Sequence, residues 1–286
     1  MPIDAAEKRA LQEKAVQVRR LVLQAVHKAA GGHVGGPLSM VEIALALYFK
    51  MMRIDPRNPQ WPDRDRYILS KGHSCIALYS VLALRGFFPV EEVYTFDAIN
   101  SRMQGHPDMT KTPGIDMASG SLGTGASPAL GMALGARRLG KDFHTWLHLG
   151  DGEIQEGQVW EMAWVASYYS VDNLTAIVDY NHVQQFGFPR DANLKRRFNP
   201  IAQVPEKWRA FGWNVLECDG HDFDQLIPAM EQAKATKGKP TCIVAHTIKG
   251  KGISFMENDF NWHAKVPSKE ELERSMAELD AALATI

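Results

Sequence analysis

Net charge is almost missing from this sequence. Its 32 lysines and arginines face 33 aspartates and glutamates, a formal balance of −1 at neutral pH. That leaves no bulk field to draw nucleic acid or an anionic membrane, although local basic groups could still hold phosphates. Cysteine is scarce: Cys75, Cys218 and Cys242 are odd in number, widely spaced and set among apolar neighbours. They read as reduced packing thiols of a cytoplasmic protein, which argues against a disulfide framework or a cysteine metal site. Long hydrophobic runs are missing too. The strongest, 41–49, falls far short of the ~20 residues a membrane helix needs. The amino terminus carries Asp4, Glu7, Lys8 and Arg9 and no hydrophobic signal segment. There is no internal repeat and no low-complexity tract. What is present is ordinary for a globular chain with a substantial core: 45% hydrophobic and 23% charged residues. No composition shift marks a boundary, so 1–286 reads as a single domain.

Hydrophobic periodicity divides the chain into alternating elements. A helix over 4–30 stops at Gly31-Gly32. A second is expected to start at Ser39, because Ser39 and Glu42 have the Ser-x-x-Glu spacing of a capping box. A short strand is expected at 67–69 and a helix over 75–84, ended by Gly86. The stretch 105–125 is rich in Gly, Pro and Ser and reads as a long functional loop. A helix over 126–139 follows, with small residues Gly131, Ala133, Gly135 and Ala136 that allow close packing. Strands are expected at 143–149, 174–178, 213–218 and 242–245, with helices between them, one of these over 156–168. A last helix opens on a second capping box, Ser268 to Glu271. Near-continuous apolar strands alternating with helices predict an α/β fold: a doubly wound parallel sheet with helices on both faces.

Within that frame, Gly150-Asp151-Gly152 closes one strand and Asn181, thirty positions beyond Asp151, closes the next. Strand, loop, helix and strand make a βαβ unit, and its right-handed crossover brings both strand ends to one edge of the sheet. Asp151 and Asn181 then face one crevice, each with a side-chain oxygen. Two hard oxygen donors beside a glycine-opened loop suit Mg²⁺ carrying a diphosphate, with Ca²⁺ or Mn²⁺ as substitutes.

Ligands of open parallel sheets sit beyond the carboxyl ends of the strands, and several polar loops belong there. They are Gly32-His33-Val34-Gly35-Gly36-Pro37, Ser70-Lys71-Gly72-His73-Ser74, Gly105-His106-Pro107-Asp108 and Ser119-Gly120-Ser121-Leu122-Gly123-Thr124-Gly125. Three histidines in glycine-bearing turns stand where backbone can approach a ligand closely. Spacing alone leaves open whether they act together or are surface or satisfied core groups.

The segments GGHVGGPLS (31–39), LSKGHS (69–74), QGHPD (104–108), SGSLGTG (119–125) and GDGEIQEGQVWEMAWVAS with its later YN (150–181) together resemble transketolase, in its N-terminal, diphosphate-binding half. The similarity runs in order from about His27 to Lys265. The GDG-to-asparagine element belongs to thiamine diphosphate enzymes generally, and the histidine loops narrow it to transketolases. The resemblance implies the diphosphate-binding (PP-type) fold and a thiamine diphosphate cofactor with Mg²⁺. By it, Asp151 and Asn181 would ligate the metal, with the backbone carbonyl of Val183 as third protein ligand. His73 and Gly152 would contact the diphosphate, and Gly120 and Leu122 the aminopyrimidine and central region. His33, His106 and His263 would surround the reactive carbon, hydrogen-bond the donor's oxygens and shuttle protons. Lys249 and Lys265 are candidates for cofactor or substrate anions; for Lys249 and Lys251 a solvated basic loop is the alternative. Glu156 is read as a carboxylate near a subunit interface that supports the cofactor sites, or simply as an acid favoured at a helix start.

The same resemblance carries an expectation about partners. A transketolase also needs a pyrimidine-binding domain whose glutamate protonates the cofactor, and a C-terminal domain, neither of which is legible here. A second polypeptide is expected to bring them, in an α₂β₂ assembly. The activity implied is transfer of a two-carbon ketol unit from a ketose phosphate to an aldose, in pentose phosphate interconversion or a specialised sugar pathway. The corresponding subunit of a 2-oxoacid dehydrogenase and a non-catalytic, regulatory thiamine diphosphate-binding protein are the alternatives. The basic stretch 188–200, with Arg190, Asp191, Lys195, Arg196 and Arg197, is read as an exposed loop or as a contact for a partner or special substrate.

Overall fold

The computed structural model describes residues 3–185 and 202–286; the basic stretch 188–200 lies outside the described residues. The chain opens with α1 (Ala5–Ala29), whose start is capped by the Asp4 carboxylate and whose last turn carries His27 and Lys28. Both fit the helix dipole, acid at the positive end and base at the negative one. Next come α2 (Gly35–Ser39) and α3 (Val41–Ala46), then β1 (Arg66–Leu69) and α4 (Cys75–Arg85). Gly86 ends α4 in the left-handed region, φ 96°, which a glycine enters without a Cβ penalty. The long loop 105–125 leads to α5 (Ala126–Arg138), β2 (Thr145–Gly150), α6 (Gly157–Tyr168) and β3 (Leu174–Tyr180). The described chain then continues through α7 (Val204–Ala210), β4 (Asn214–Asp219), α8 (Phe223–Ala235), β5 (Thr241–His246) and α9 (Lys269–Thr285). The Ser268–Glu271 capping box is formed in both directions.

The five strands are all parallel, in the order β1-β2-β3-β5-β4. Successive strand residues point to opposite faces, and each face has its own apolar layer. Trp146, Ile177 and Ile243 pack with buried residues of α1, α3, α4 and α8. Leu147, Leu149, Ala176, Val178 and Val244 pack with α5, α6 and α7. The connection from β4 to β5 runs back toward the sheet centre. A right-handed crossover in that direction puts α8 on the face opposite α6. The doubly wound α/β sheet expected from the sequence is the fold observed. Its three cysteines are buried and unpaired. Among the described residues no helix is long and apolar enough to cross a membrane.

One local expectation is overturned. No capping box forms at Ser39: the helix has already begun at Gly35, and Ser39 is its last residue. The Ser39 hydroxyl donates to the Gly36 carbonyl and to the Asp179 carboxylate. Glu42 turns inward instead and takes a bidentate bond from Arg19, at 2.7 and 3.0 Å. The Ser-x-x-Glu spacing matched a cap, but two buried partners, distant in sequence, claimed both side chains.

This inward turn has a stability consequence. Burial raises the Glu42 carboxyl, but Arg19 and His221 outweigh it and hold the group at about 2, against 4.5 unperturbed. A carboxyl depressed on folding stabilises the fold above its unfolded pKa, and this is lost as pH falls from 4.5 toward about 2. Glu42→Gln should therefore cost about 3–5 kcal/mol at neutral pH, since it leaves Arg19 buried without its counter-charge. Denaturant unfolding should show the gap to wild type narrowing over that acid range.

Candidate active site

Parallel strands put their following loops on one edge. Leu69 is in register with His148, Gly150 with Asp179, and Tyr180 with His246, so loops 70–74, 151–156, 181–185 and 247–252 lie together. A cavity of about 490 Å³ opens among them, within the range of small-ligand sites. His33, His73, His106, Gly120, Leu122, Asp151, Gly152, Asn181, Val183, Lys249 and His263 all line it. Of the site residues expected from the sequence, Glu156 does not. It is exposed, at the N-cap of α6, with no side-chain cap bond. Lys265 does not line it either: it lies 4.1 Å over the Trp262 ring and pairs with Glu271.

One wall carries hard oxygens. The Asp151 carboxylate accepts from the backbone N–H groups of Gly152 and His182, at 2.7 and 2.6 Å. His182 reaches it because its backbone is left-handed, φ 62°, a conformation histidine tolerates better than most residues. The Val183 N–H donates to the Asn181 side-chain oxygen at 3.1 Å, which sets that amide's orientation. The Val183 carbonyl accepts from the Lys249 ammonium at 2.9 Å. Burial raises the Asp151 carboxyl to about 6, and Asp179 adds to the rise. A buried, electron-rich carboxylate beside an amide oxygen and a carbonyl fits a divalent hard cation. Among the described residues no three His, Cys, Asp or Glu side chains converge as a metal site. The wall thus supplies too few charges for an all-protein cage and suits Mg²⁺ that shares its shell with phosphate oxygens and water.

Behind this wall Asp179 is fully buried. It takes hydrogen bonds from Lys71, Ser39 and Thr247. Burial pushes its carboxyl up, but the Lys71 ammonium beside it, with His148 and Ser39, holds it well below the usual range. The ion pair fixes Lys71, whose ammonium also reaches the Gly36 carbonyl at 3.1 Å.

A second buried carboxylate joins three loops. Glu153 accepts from the Ser70 hydroxyl at 2.6 Å, the Gly123 N–H at 2.8 Å and the Gly150 N–H at 3.0 Å. Loops 70–74 and 119–125 also touch directly: a Cβ on Gly72 would sit 2.8 Å from the Ser119 carbonyl. Sequence reasoning missed Glu153, Asp179 and Lys71 as site residues. For Asp179 a signal existed, a lone acid inside the apolar strand β3; for Glu153 there was none beyond its place after Gly152.

The opposite wall gathers imidazoles. His33 has His73 at 5.0 Å, His263 at 5.2 Å and His106 at 6.5 Å between ring centroids. Four loops, far apart in sequence, meet here. Burial lowers the His33 and His73 pKa values, with neighbouring His106 for His33 and Lys71 for His73 adding to the effect. Burial, then Lys249, brings His263 down to about 3. These three rings are neutral at neutral pH, so they can offer a donor or an acceptor without carrying charge.

A family model, transketolase thiamine diphosphate binding domain, matches residues 11–280. The chain belongs to this transketolase family. It is similar to a 6-deoxy-6-sulfo-D-fructose transketolase subunit of Clostridium sp. (strain MSTE9), 45% identical over 270 residues, covering 94% of this chain and 96% of that one. An apulose-4-phosphate transketolase subunit of Actinobacillus succinogenes is 40% identical over 270 residues, 94% of this chain and 95% of that one. Among solved structures, the transketolase of Campylobacter jejuni superposes with a TM-score of 0.85 at 30% identity, over 96% of this chain and 45% of its own. The chain thus spans under half of that transketolase and nearly all of the two subunits. The reading of a thiamine diphosphate-binding transketolase chain stands on both the family and the fold.

Proposed function

We propose that this transketolase-family chain is the diphosphate- and Mg²⁺-binding subunit of a two-chain transketolase. It transfers a two-carbon ketol unit from a ketose phosphate to an aldose acceptor. The observation that carries the reading is one cavity with an oxygen wall at Asp151, Asn181 and Val183 and an imidazole wall at His33, His73, His106 and His263. The first wall suits a metal diphosphate and the second a polyhydroxylated carbonyl compound.

When bound, thiamine diphosphate supplies the nucleophilic carbon and holds the charge left when the donor's carbon–carbon bond breaks. The chain's residues do the rest. Asp151, Asn181 and the Val183 carbonyl hold the cation, His73 and Gly152 meet the diphosphate, and Gly120 and Leu122 lie along the ring system. Glu153 keeps the loops bearing Gly123 and Gly150 at a fixed separation. His33, His106 and His263 orient the donor's hydroxyl and carbonyl oxygens, and imidazoles of this cluster exchange protons with those oxygens.

The partner is a second chain with the pyrimidine-binding and C-terminal domains, assembled as α₂β₂. Two relatives named as transketolase subunits, matched over 96% and 95% of their length, support this. So does α6, where the exposed rings of Trp164 and Tyr168 adjoin each other and Tyr169, a contiguous apolar patch of the kind that marks protein–protein contact. Glu156 stands at the start of that helix, consistent with a place at the interface. Unpaired buried thiols fit a reducing cytoplasm. The relatives' names span sulfosugar and apulose phosphate chemistry, so the donors to compare are these and the pentose phosphates.

The test reconstitutes the chain with its partner, thiamine diphosphate and Mg²⁺. Ketol transfer is assayed across a ketose panel beside 2-oxoacid decarboxylation. Ketol transfer without oxoacid turnover is expected. Oxoacid activity alone would assign the chain to a 2-oxoacid dehydrogenase, and cofactor binding with neither activity to a regulatory protein.

A further inference from the structure

Of the four clustered imidazoles, one is treated differently by its surroundings. The Lys249 ammonium lies 3.0 Å from Nδ1 of His263. An ammonium has three donors and no acceptor, so the nitrogen facing it must present a lone pair. A neutral imidazole has one N–H; with Nδ1 accepting, the proton sits on Nε2. Among the described residues nothing hydrogen-bonds to the rings of His33 and His106, so no neighbour selects their tautomer.

Lys249 is well placed to impose this choice. Its side chain is buried, and a second donation, to the Val183 carbonyl at 2.9 Å, fixes the ammonium. Its stem packs so closely on Gly35 that a Cβ there would lie 2.9 Å from the lysine Cγ. The loop backbone is tied on both sides: Gly250 N–H to the Gly35 carbonyl at 3.0 Å, and Asn258 N–H to the Lys249 carbonyl at 2.9 Å. Ile248 N–H donates to Nε2 of His221 at 2.9 Å, and His221 Nδ1 meets Glu42 at 2.9 Å. The groups facing His263 are Lys249, Lys71, His33 and His73. All are cationic or imidazole, so an imidazolium there would find no compensating anion.

We infer that Lys249 fixes His263 as the neutral tautomer with its proton on Nε2, making it a standing hydrogen-bond donor to a substrate oxygen and leaving proton exchange to His33 and His106. Lys249 is in this sense a positioning residue for His263. The role toward substrate rests on the transketolase reading above; the tautomer does not.

The experiment is NMR of the full chain with ¹⁵N-labelled histidine and lysine at neutral pH, assigning His263 by difference against His263→Gln. His263 should show an unprotonated Nδ1, a protonated Nε2 and a through-hydrogen-bond coupling to the Lys249 amine. His221 should show the reverse, Nδ1 protonated and Nε2 accepting, as an internal control. In Lys249→Met the coupling should vanish, the two His263 tautomers should exchange, and the pH at which the ring protonates should shift upward. A proton on Nδ1 of His263 in the wild type overturns the inference outright, and this holds even if Lys249→Met does not fold. An unchanged His263 spectrum in a folded Lys249→Met, judged by an intact His221 signal, also overturns it. Failure of the transketolase reading would appear separately, as no ketol transfer with the same His263 spectrum.

Discussion

Asp151→Ala should weaken cation-dependent binding of thiamine diphosphate by at least about a hundredfold, since even outer residues of metal sites typically cost 10–100-fold. Asp151 is the one carboxylate on the proposed cation wall; Asn181 and Val183 contribute only neutral oxygens. Its loss removes the charge that offsets cation desolvation. It also frees the N–H groups of Gly152 and His182, which it now holds at 2.7 and 2.6 Å. The loop presenting Asn181 would lose its register on both sides. Calorimetric titration of the cofactor with and without Mg²⁺ measures the effect, and Asp151→Asn, which retains an acceptor for His182, separates charge from loop geometry. Binding that is unaltered in both variants would remove Asp151 from the cation site.

Turnover by this chain without its partner should be lower by about three orders of magnitude or more, the range over which positioned acid–base groups contribute. The reason lies in how the cavity's carboxylates are engaged. Among the described residues Asp151 and Glu153 are the carboxylates that line it. Asp151 is committed to the cation loop, and Glu153 already accepts from Ser70, Gly123 and Gly150. Neither is free to serve as the glutamate that protonates the cofactor, so the proposed partner must bring that group. Steady-state ketol transfer is measured on the chain, the partner and their mixture. Full activity of the chain by itself would contradict a two-chain enzyme.

Most of the framework was legible because it depends on local and periodic properties. The strands over 143–149 and 174–178 were found from apolar runs, and the structure moves them only slightly, to Thr145–Gly150 and Leu174–Tyr180. Gly86 and the Ser268–Glu271 box ended or opened helices as expected because those signals act within one turn. Ser39–Glu42 failed for the converse reason. The spacing was local, but the competing partners Asp179, Arg19 and His221 come from elsewhere in the chain, and a buried charge pair outweighs a surface cap. Lys265 stands off the cavity for a related reason, engaged by Trp262 and Glu271.

By itself the sequence determined the parallel α/β sheet and the strand ends bearing Asp151 and Asn181. It also determined the glycine-flanked loops that carry His33, His73 and His106. These follow from periodicity and from backbone freedom, which neighbouring residues decide. Only the tertiary structure decided which groups face one another. It gathered four histidines around one point, paired Lys71 with Asp179 and set Glu153 across three loops. It also put an ammonium against one nitrogen of His263. Hydrogen bonds and charge pairs act over a few ångströms, and only chain folding brings residues separated by tens or hundreds of positions within that reach.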